Sequence, residues 1–147
     1  MEITAIILAG GLGTRLKKTI PNLPKPMAPI GGRPFLEYLM DYWIEQGVCR
    51  FILSVGHFKD IIIKHFSKEY CGIPVEYSIE EKPLGTGGAF LKASKDLAAP
   101  FLVLNGDTFI EVDLDEMVKF HSNNKSDWTL SVIEKNSLDR YMAIEMM

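Results

Sequence analysis

Three short segments combine residue types that could grip a phosphate. Leu8-Ala9-Gly10-Gly11-Leu12-Gly13-Thr14-Arg15-Leu16 is rich in glycine, which lets the backbone approach a ligand closely and turn its amides toward an anion, and Arg15 adds a charged fork. Pro24-Lys25-Pro26 lies in a proline-rich stretch that begins at Pro21. Proline fixes its own φ and biases the residue before it toward extended geometry, so Lys25 is predicted on a stiff, extended backbone that can aim its ammonium. Phe101 to Leu104 is an apolar run that ends in Asn105-Gly106-Asp107-Thr108. An aspartate there is suited to Mg²⁺, a hard cation that takes carboxylate oxygen and completes its shell with water and substrate phosphate.

Taken singly, each segment has a plain structural reading: a tight turn, a solvated lysine, and an aspartate opening a turn. The strict dinucleotide fingerprint fails because Leu16 stands where its third glycine belongs, and the P-loop fails because no Gly-Lys-Ser/Thr closes the segment. The chemistry therefore rests on convergence. A glycine cradle, two cations and an acidic magnesium holder must meet around one phosphate ligand.

The elements that would bring them together are legible from periodicity. Ile3 to Leu8 is a continuous apolar run closed by Gly10 and Gly11, as in a strand buried on both faces. Phe35, Leu36, Leu39, Met40, Trp43 and Ile44 recur at helical spacing over 35–46, with Gly47 placed to end the helix. Strands are predicted at 51–55, 73–79, 101–104 and 128–133, and helices at 61–66, 87–98 and 114–121. Strands alternating with helices predict a three-layer α/β sandwich with a mainly parallel, Rossmann-like sheet. In such sheets ligands bind beyond the carboxyl ends of the strands, where the three segments fall.

A hydrophobic fraction of 47% with 24% charged residues suits one self-supporting domain over 1–147, and the chain has no repeat, low-complexity tract or dividing linker. A formal charge of -3 gives no footprint for nucleic acid. The apolar run from Ile3 to Ala9 is too short to span a membrane and follows Glu2 rather than a basic segment, so a cytoplasmic protein is expected. Cys49 and Cys71 lack ligand or disulfide spacing and are expected as reduced thiols. His57, His65 and His121 lack metal-ligand spacing, Trp43 and Trp128 are expected to pack, and one of Asp113 and Asp115 is expected to cap a helix. After the fifth predicted strand nothing covers the sheet edge, so the domain is expected to be cut at its C-terminus, which would favour self-association as a homo-oligomer.

Four motifs in order now carry a resemblance: Gly10-Gly11-Leu12-Gly13-Thr14-Arg15, then Pro24-Lys25-Pro26-Met27, then Glu80-Glu81-Lys82-Pro83-Leu84-Gly85-Thr86-Gly87-Gly88-Ala89, then Asn105-Gly106-Asp107. Together they resemble the sugar-1-phosphate nucleotidyltransferases, over essentially the whole chain and most closely those that transfer GMP to heptose 1-phosphate or mannose 1-phosphate. The resemblance implies the fold of the nucleotide-diphospho-sugar transferases, a nucleoside triphosphate (GTP favoured) and a sugar 1-phosphate as substrates, and Mg²⁺ as cofactor. It also implies roles. The backbone from Leu8 through Ala9, Gly10, Gly11 and Gly13, with Thr14, would line base and phosphates; Arg15 would face the β and γ phosphates and Lys25 the α phosphate. Glu80 and Gly85 would touch base or ribose, Thr86 and Asn105 would join the nucleotide contacts, and Asp107 would hold Mg²⁺. A carboxylate at Glu80 can accept from guanine N1 and its exocyclic amine, which adenine cannot match.

Members of that family continue into a sugar-binding region with a second metal-binding aspartate, so residues 1–147 are expected to be the nucleotide-binding domain without that part. Asp139-Arg140-Tyr141 resembles a family motif whose next residue is glycine, but here it is Met142. Met142-Ala143 is necessarily encoded ATGGC, which holds the glycine codon GGC in another frame, so the tail is expected to be read in a shifted frame. The resemblance leaves two other readings open: a nucleotide-binding remnant without turnover, and a uridylyl or thymidylyl transferase.

Overall fold

A computed structural model describes residues 2–11, 22–98 and 100–132. Leu12, Gly13, Thr14, Arg15 and Leu16, and all residues after Val132, including Asp139 to Met142, lie outside the described residues. In chain order the elements are β1 (Ile3–Leu8), a 3-10 turn (Lys25–Met27), β2 (Pro29–Ile30), β3 (Arg33–Pro34), α1 (Phe35–Glu45), β4 (Val48–Val55), α2 (Lys59–Phe66), β5 (Glu69–Tyr70), β6 (Ile73–Ile79), α3 (Gly85–Ala93), β7 (Leu102–Asn105) and α4 (Leu114–Asn123). They divide into two compact units, Met1–Glu111 and Val112–Met147.

The first unit holds a five-stranded sheet in the order β5-β6-β4-β1-β7. β6, β4, β1 and β7 are parallel, and the two-residue β5 adds an antiparallel edge. This is the expected mainly parallel α/β sheet. β1 and β4 lie inside it and are mostly apolar, with Ala5, Ile6, Ile7, Phe51, Leu53 and Val55 fully buried.

Right-handed crossovers place α1 and α2 on one face of the sheet, while α3, whose connection runs back across it, covers the other. α3 meets its face through Ala93, which clusters with Ile6 and Ile52. α1 forms because Leu36, Leu39, Met40 and Trp43 fall on one stripe, and all four are buried. It ends at Gly47, whose φ of 94° only glycine adopts freely and whose amide donates to Ile44 O at 2.9 Å. Trp43 packs as expected, at 1% exposure. A small hairpin, β2 with β3, turns on Gly31 and Gly32 at φ 56° and 89°, the left-handed pair that a two-residue turn requires. Cys49 and Cys71 are free thiols.

Several boundaries differ from expectation. α3 starts at Gly85 rather than 87 and stops at Ala93, and β4 begins three residues early at Val48. In the second unit Asp113 is the N-cap of α4: its Oδ1 accepts from the Glu116 amide at 2.9 Å. The predicted fifth strand does not form over its described part. Residues 128–132 have no strand pairing, and Trp128, Leu130 and Val132 are 65%, 68% and 62% exposed, so Trp128 is not buried as expected. Alternation and β-branching favour a pleated chain, but a strand also needs a partner to exchange backbone hydrogen bonds with, and this segment pairs with no described strand. Among the described residues no helix is long and apolar enough to cross a membrane.

The load on the central strands is testable at Phe51, fully buried on β4. Phe51→Ala is expected to lower unfolding free energy by about 3–5 kcal/mol, read as a reduced urea midpoint at unchanged slope. A loss below about 1 kcal/mol would contradict this placement of the core.

Candidate functional site

From β1 the chain crosses to β4 and β6 on one side, then returns to β7 on the other. The strand order therefore reverses between β1 and β7, and the space beyond their carboxyl ends is where α/β sheets place ligands. Leu8 and Asn105 are the last residues of these strands and lie opposite each other in register.

Just beyond them the Gly106 amide donates to Leu8 O at 3.0 Å. A Cβ on Gly106 would stand 3.0 Å from that oxygen and 3.1 Å from Pro26 Cγ. Glycine at this position thus lets the 3-10 turn pack against the end of β7. The turn closes through Met27 N to Pro24 O at 2.9 Å and Ala28 N to Lys25 O at 3.0 Å, with Pro26 and Met27 buried. Lys25 is therefore not extended, as the flanking prolines predict. Pro26 sits in the first turn, where its missing N–H has no partner to lose, and burial of the apolar pair outweighs the local bias.

The result is that Lys25 Nζ donates to Asp107 Oδ2 at 3.2 Å, across 82 positions of sequence. The two side chains are 29% and 45% exposed. An ion pair so open to water contributes at most about 1 kcal/mol, so fold stability does not account for it. Asp107 Oδ1 receives, among the described residues, only a long 3.4 Å contact from the Thr108 hydroxyl. No group of three or more His, Cys, Asp or Glu that could hold a metal occurs among the described residues. One carboxylate with an accessible oxygen is nevertheless a usual protein share of a magnesium site.

A second cluster lies where β4 and β6 end. Ala9 N donates to Ser54 O at 2.8 Å and Glu80 N to Val55 O at 2.7 Å, so the parallel ladder runs one residue past each strand. Gly10 and Gly56 touch here: a Cβ on Gly56 would be 3.2 Å from Gly10 O, and one on Gly10 would overlap Glu80 Oε1. The Glu80 carboxylate occupies that space. Its Oε1 accepts from the fully buried Ser54 hydroxyl at 3.2 Å and its Oε2 from the Leu84 amide at 3.1 Å. Glu80, Gly10, Gly56, His57, Phe58, Lys59 and Pro83 are among the residues lining a cleft of about 350 Å³.

Phe58 holds a left-handed backbone, φ 65°, and its ring lies 4.0 Å from that of His57. Strain of that kind collects at ligand-facing positions. Gly85, at φ 69°, and Thr86 open α3 and are exposed, leaving first-turn amides without helical partners.

The fold thus brings Leu8, Ala9, Gly10, Glu80, Lys25, Asn105 and Asp107 to one end of the sheet, with Ala9-Gly10 joining the two clusters. Gly11 follows, exposed, and Arg15 is outside the described residues. Sequence reading missed Ser54, Gly56, the His57-Phe58 wall and the Leu84 amide. A signal for Ser54 existed: it is the one polar residue in the apolar run Phe51 to Val55. His65 lies elsewhere in the first unit, against Glu37 at 2.6 Å, and within the second unit His121 meets Thr129 at 3.0 Å.

A family profile described as nucleotidyl transferase matches residues 4–142. The chain belongs to the nucleotidyl transferase family. It is 44% identical over 142 residues to the D-glycero-alpha-D-manno-heptose 1-phosphate guanylyltransferase of Campylobacter jejuni subsp. jejuni, covering 97% of this chain and 62% of that protein. With the protein of the same name from Aneurinibacillus thermoaerophilus it shares 46% identity over 138 residues, 93% of this chain and 60% of the relative. The solved structure of HddC from Yersinia pseudotuberculosis complexed with GMP-PN superimposes with a TM-score of 0.73 at 45% identity, over 81% of this chain and 54% of that one. This nucleotidyl transferase chain therefore spans about three fifths of the length of the curated relatives it matches.

Gly10→Ala in this nucleotidyl transferase is expected to displace the Glu80 carboxylate and destabilise the chain by roughly 1–3 kcal/mol. Gly87→Ala, in open space on the first turn of α3, is expected to be neutral or to stabilise by up to about 1 kcal/mol. Equal shifts of the two denaturation midpoints would argue against the contact between Gly10 and Glu80.

Proposed function

We propose that this chain binds GTP and transfers GMP to a sugar 1-phosphate, giving a GDP-sugar and pyrophosphate. The observation that carries the reading is the two-ended site. A carboxylate with both oxygens oriented stands in the cleft at Glu80, and a lysine–aspartate pair stands at the switch point, linked by the Ala9-Gly10 backbone. Supporting it, the similar proteins carry heptose 1-phosphate guanylyltransferase names, and HddC was solved with GMP-PN.

In this reading guanine enters the cleft and offers its N1–H and exocyclic amine to Glu80. The backbone of Leu8 to Gly11 and the first turn of α3 at Gly85 and Thr86 line ribose and phosphates, where helix amides favour negative charge. Asn105 completes the nucleotide contacts, and Gly13 and Thr14 extend the cradle. A phosphate oxygen of the sugar 1-phosphate attacks the α phosphorus, that new P–O bond forms, and the bond from the α phosphorus to the bridging oxygen breaks, releasing pyrophosphate. No protein nucleophile is needed. The displacement requires alignment and neutralised charge, which Lys25 supplies beside the α phosphate and Arg15 beside the β and γ phosphates. Asp107 would hold Mg²⁺ through the oxygen not engaged by Lys25. The ion, when bound, contributes Lewis-acid neutralisation of the phosphates. A reaction on phosphorylated sugars and GTP fits the cytoplasm.

Binding and turnover are tested separately, since the chain covers about three fifths of its relatives. GTP titrations with and without Mg²⁺, beside a pyrophosphate-release assay over a panel of sugar 1-phosphates, are expected to show Mg²⁺-dependent GTP binding and release. Binding without release on any sugar would leave a nucleotide-binding remnant, and tighter binding of UTP or TTP would reassign the base. Asp107→Ala is expected to weaken Mg²⁺-dependent GTP binding by about 10- to 100-fold, the loss of charge-assisted contacts. An unchanged Mg²⁺ dependence would remove Asp107 from this role.

A further inference from the structure

Ser54 is the one fully buried polar side chain among the described residues of the core, at 0% exposure. Its four neighbours in the run from Phe51 to Val55 are apolar and also buried, so a hydroxyl here carries a desolvation penalty unless it is paired. It pairs with one group, Glu80 Oε1, at 3.2 Å. The adjacent strand offers a comparison. Ser78 lies beside Ser54 in register, its Oγ is also buried, and it has no hydrogen-bond partner. A hydroxyl at this level of the sheet is therefore not engaged by default; the carboxylate meets Ser54.

Glu80 has no other neutralising partner among the described residues: no salt bridge reaches it, and its two donors are the Ser54 hydroxyl and the Leu84 amide, one on each oxygen. A donor on each oxygen fixes the rotation of the carboxylate about its last bond, a torsion that is otherwise broad. Each oxygen has two lone pairs. One is occupied from inside the protein, and the other remains for an edge that presents two parallel N–H donors.

We propose that Ser54 is a positioning residue for base selection: its buried hydroxyl sets the plane of the Glu80 carboxylate so that both remaining lone pairs meet the two donors of guanine at once. The inference rests on the reading of Glu80 as the base-selecting group. It explains why a hydroxyl interrupts the buried apolar run from Phe51 to Val55, and why Gly10, which keeps the space for Oε1 clear, faces the same oxygen. Without Ser54 the carboxylate keeps its charge and its place but turns about the Leu84 contact, and one of its two acceptors no longer lines up.

The comparison that reads this out is GTP against ITP, which lacks only the exocyclic amine. Equilibrium titrations of the 147-residue chain with each nucleotide are expected to show GTP bound at least about tenfold tighter, the worth of one hydrogen bond to a charged acceptor. Ser54→Ala is expected to reduce that ratio to about threefold or less, while ITP affinity falls much less than GTP affinity. Ser54→Thr, which restores the hydroxyl, is expected to return it. A merely structural role would lower both affinities together and leave their ratio alone.

Glu80→Gln separates the two layers of the argument. If it abolishes the preference while Ser54→Ala leaves the ratio within twofold of the parent, Glu80 selects the base and Ser54 does not position it, which overturns this inference alone. If Glu80→Gln leaves the ratio unchanged, or the parent chain shows no preference, the reading of Glu80 falls and this inference with it.

Discussion

The site depends on the closeness with which three backbone segments meet beyond the sheet. Gly10 follows β1, Gly56 follows β4 and Gly106 follows β7, and at each the space a Cβ would fill is already taken by another segment. Gly106 admits Pro26 and the Leu8 carbonyl; Gly10 admits the Glu80 carboxylate and the Gly56 amide. None of the three has a positive φ, so conformational freedom is not their reason. Proximity is. With side chains there, the neighbouring segments would have to shift apart, the Glu80 carboxylate most of all.

Given that closeness, the polar groups divide by exposure in a way that suits different tasks. Ser54 is sealed in the sheet and Glu80 is anchored at both oxygens, so the carboxylate is pre-oriented and would lose little freedom to a ligand of the proposed kind. Buried polar groups must be satisfied in the resting protein, and here the partner that satisfies the hydroxyl is itself the group that faces the cleft. A rigid reader of a base edge is the arrangement that rejects a wrong edge most strongly, because a misplaced donor or acceptor is left unpaired.

How far the sequence foretold this follows from where the determining forces act. β1, α1, β6 and α4 announced themselves because burial imposes a local period, and a cap at Asp113 or Asp115 because capping is a contact three residues long. The segment at 128–132 misled, since pattern reports the preference of a chain for a pleated form and not whether it pairs with a neighbour. Lys25 was legible as a residue worth watching and not as a 3-10 turn, because that turn goes with burial of Pro26 and Met27 and with the approach of Pro26 to Gly106, far away in sequence. Ser54 stood out only as a polar residue in an apolar run, and its partner was hidden for the same reason. Its meaning lies in a carboxylate 26 positions later, which only the register of β4 with β6 brings alongside.

The lysine–aspartate pair is open to water where the glutamate is anchored, and the physical logic is that of exchange. A fully buried ion pair is held by the penalty of leaving either charge alone in a low-dielectric interior, which makes each partner costly to redirect. Lys25 and Asp107, a third and nearly half exposed, face no such penalty, since water can solvate whichever charge is released. They neutralise each other weakly in the free protein, and each can turn to a stronger partner when an anion and a cation arrive together. A carboxylate near a divalent ion and an ammonium near a phosphate are both charge-assisted contacts that exceed the pair they replace. The resting contact at 3.2 Å holds the two groups side by side without committing either of them beforehand.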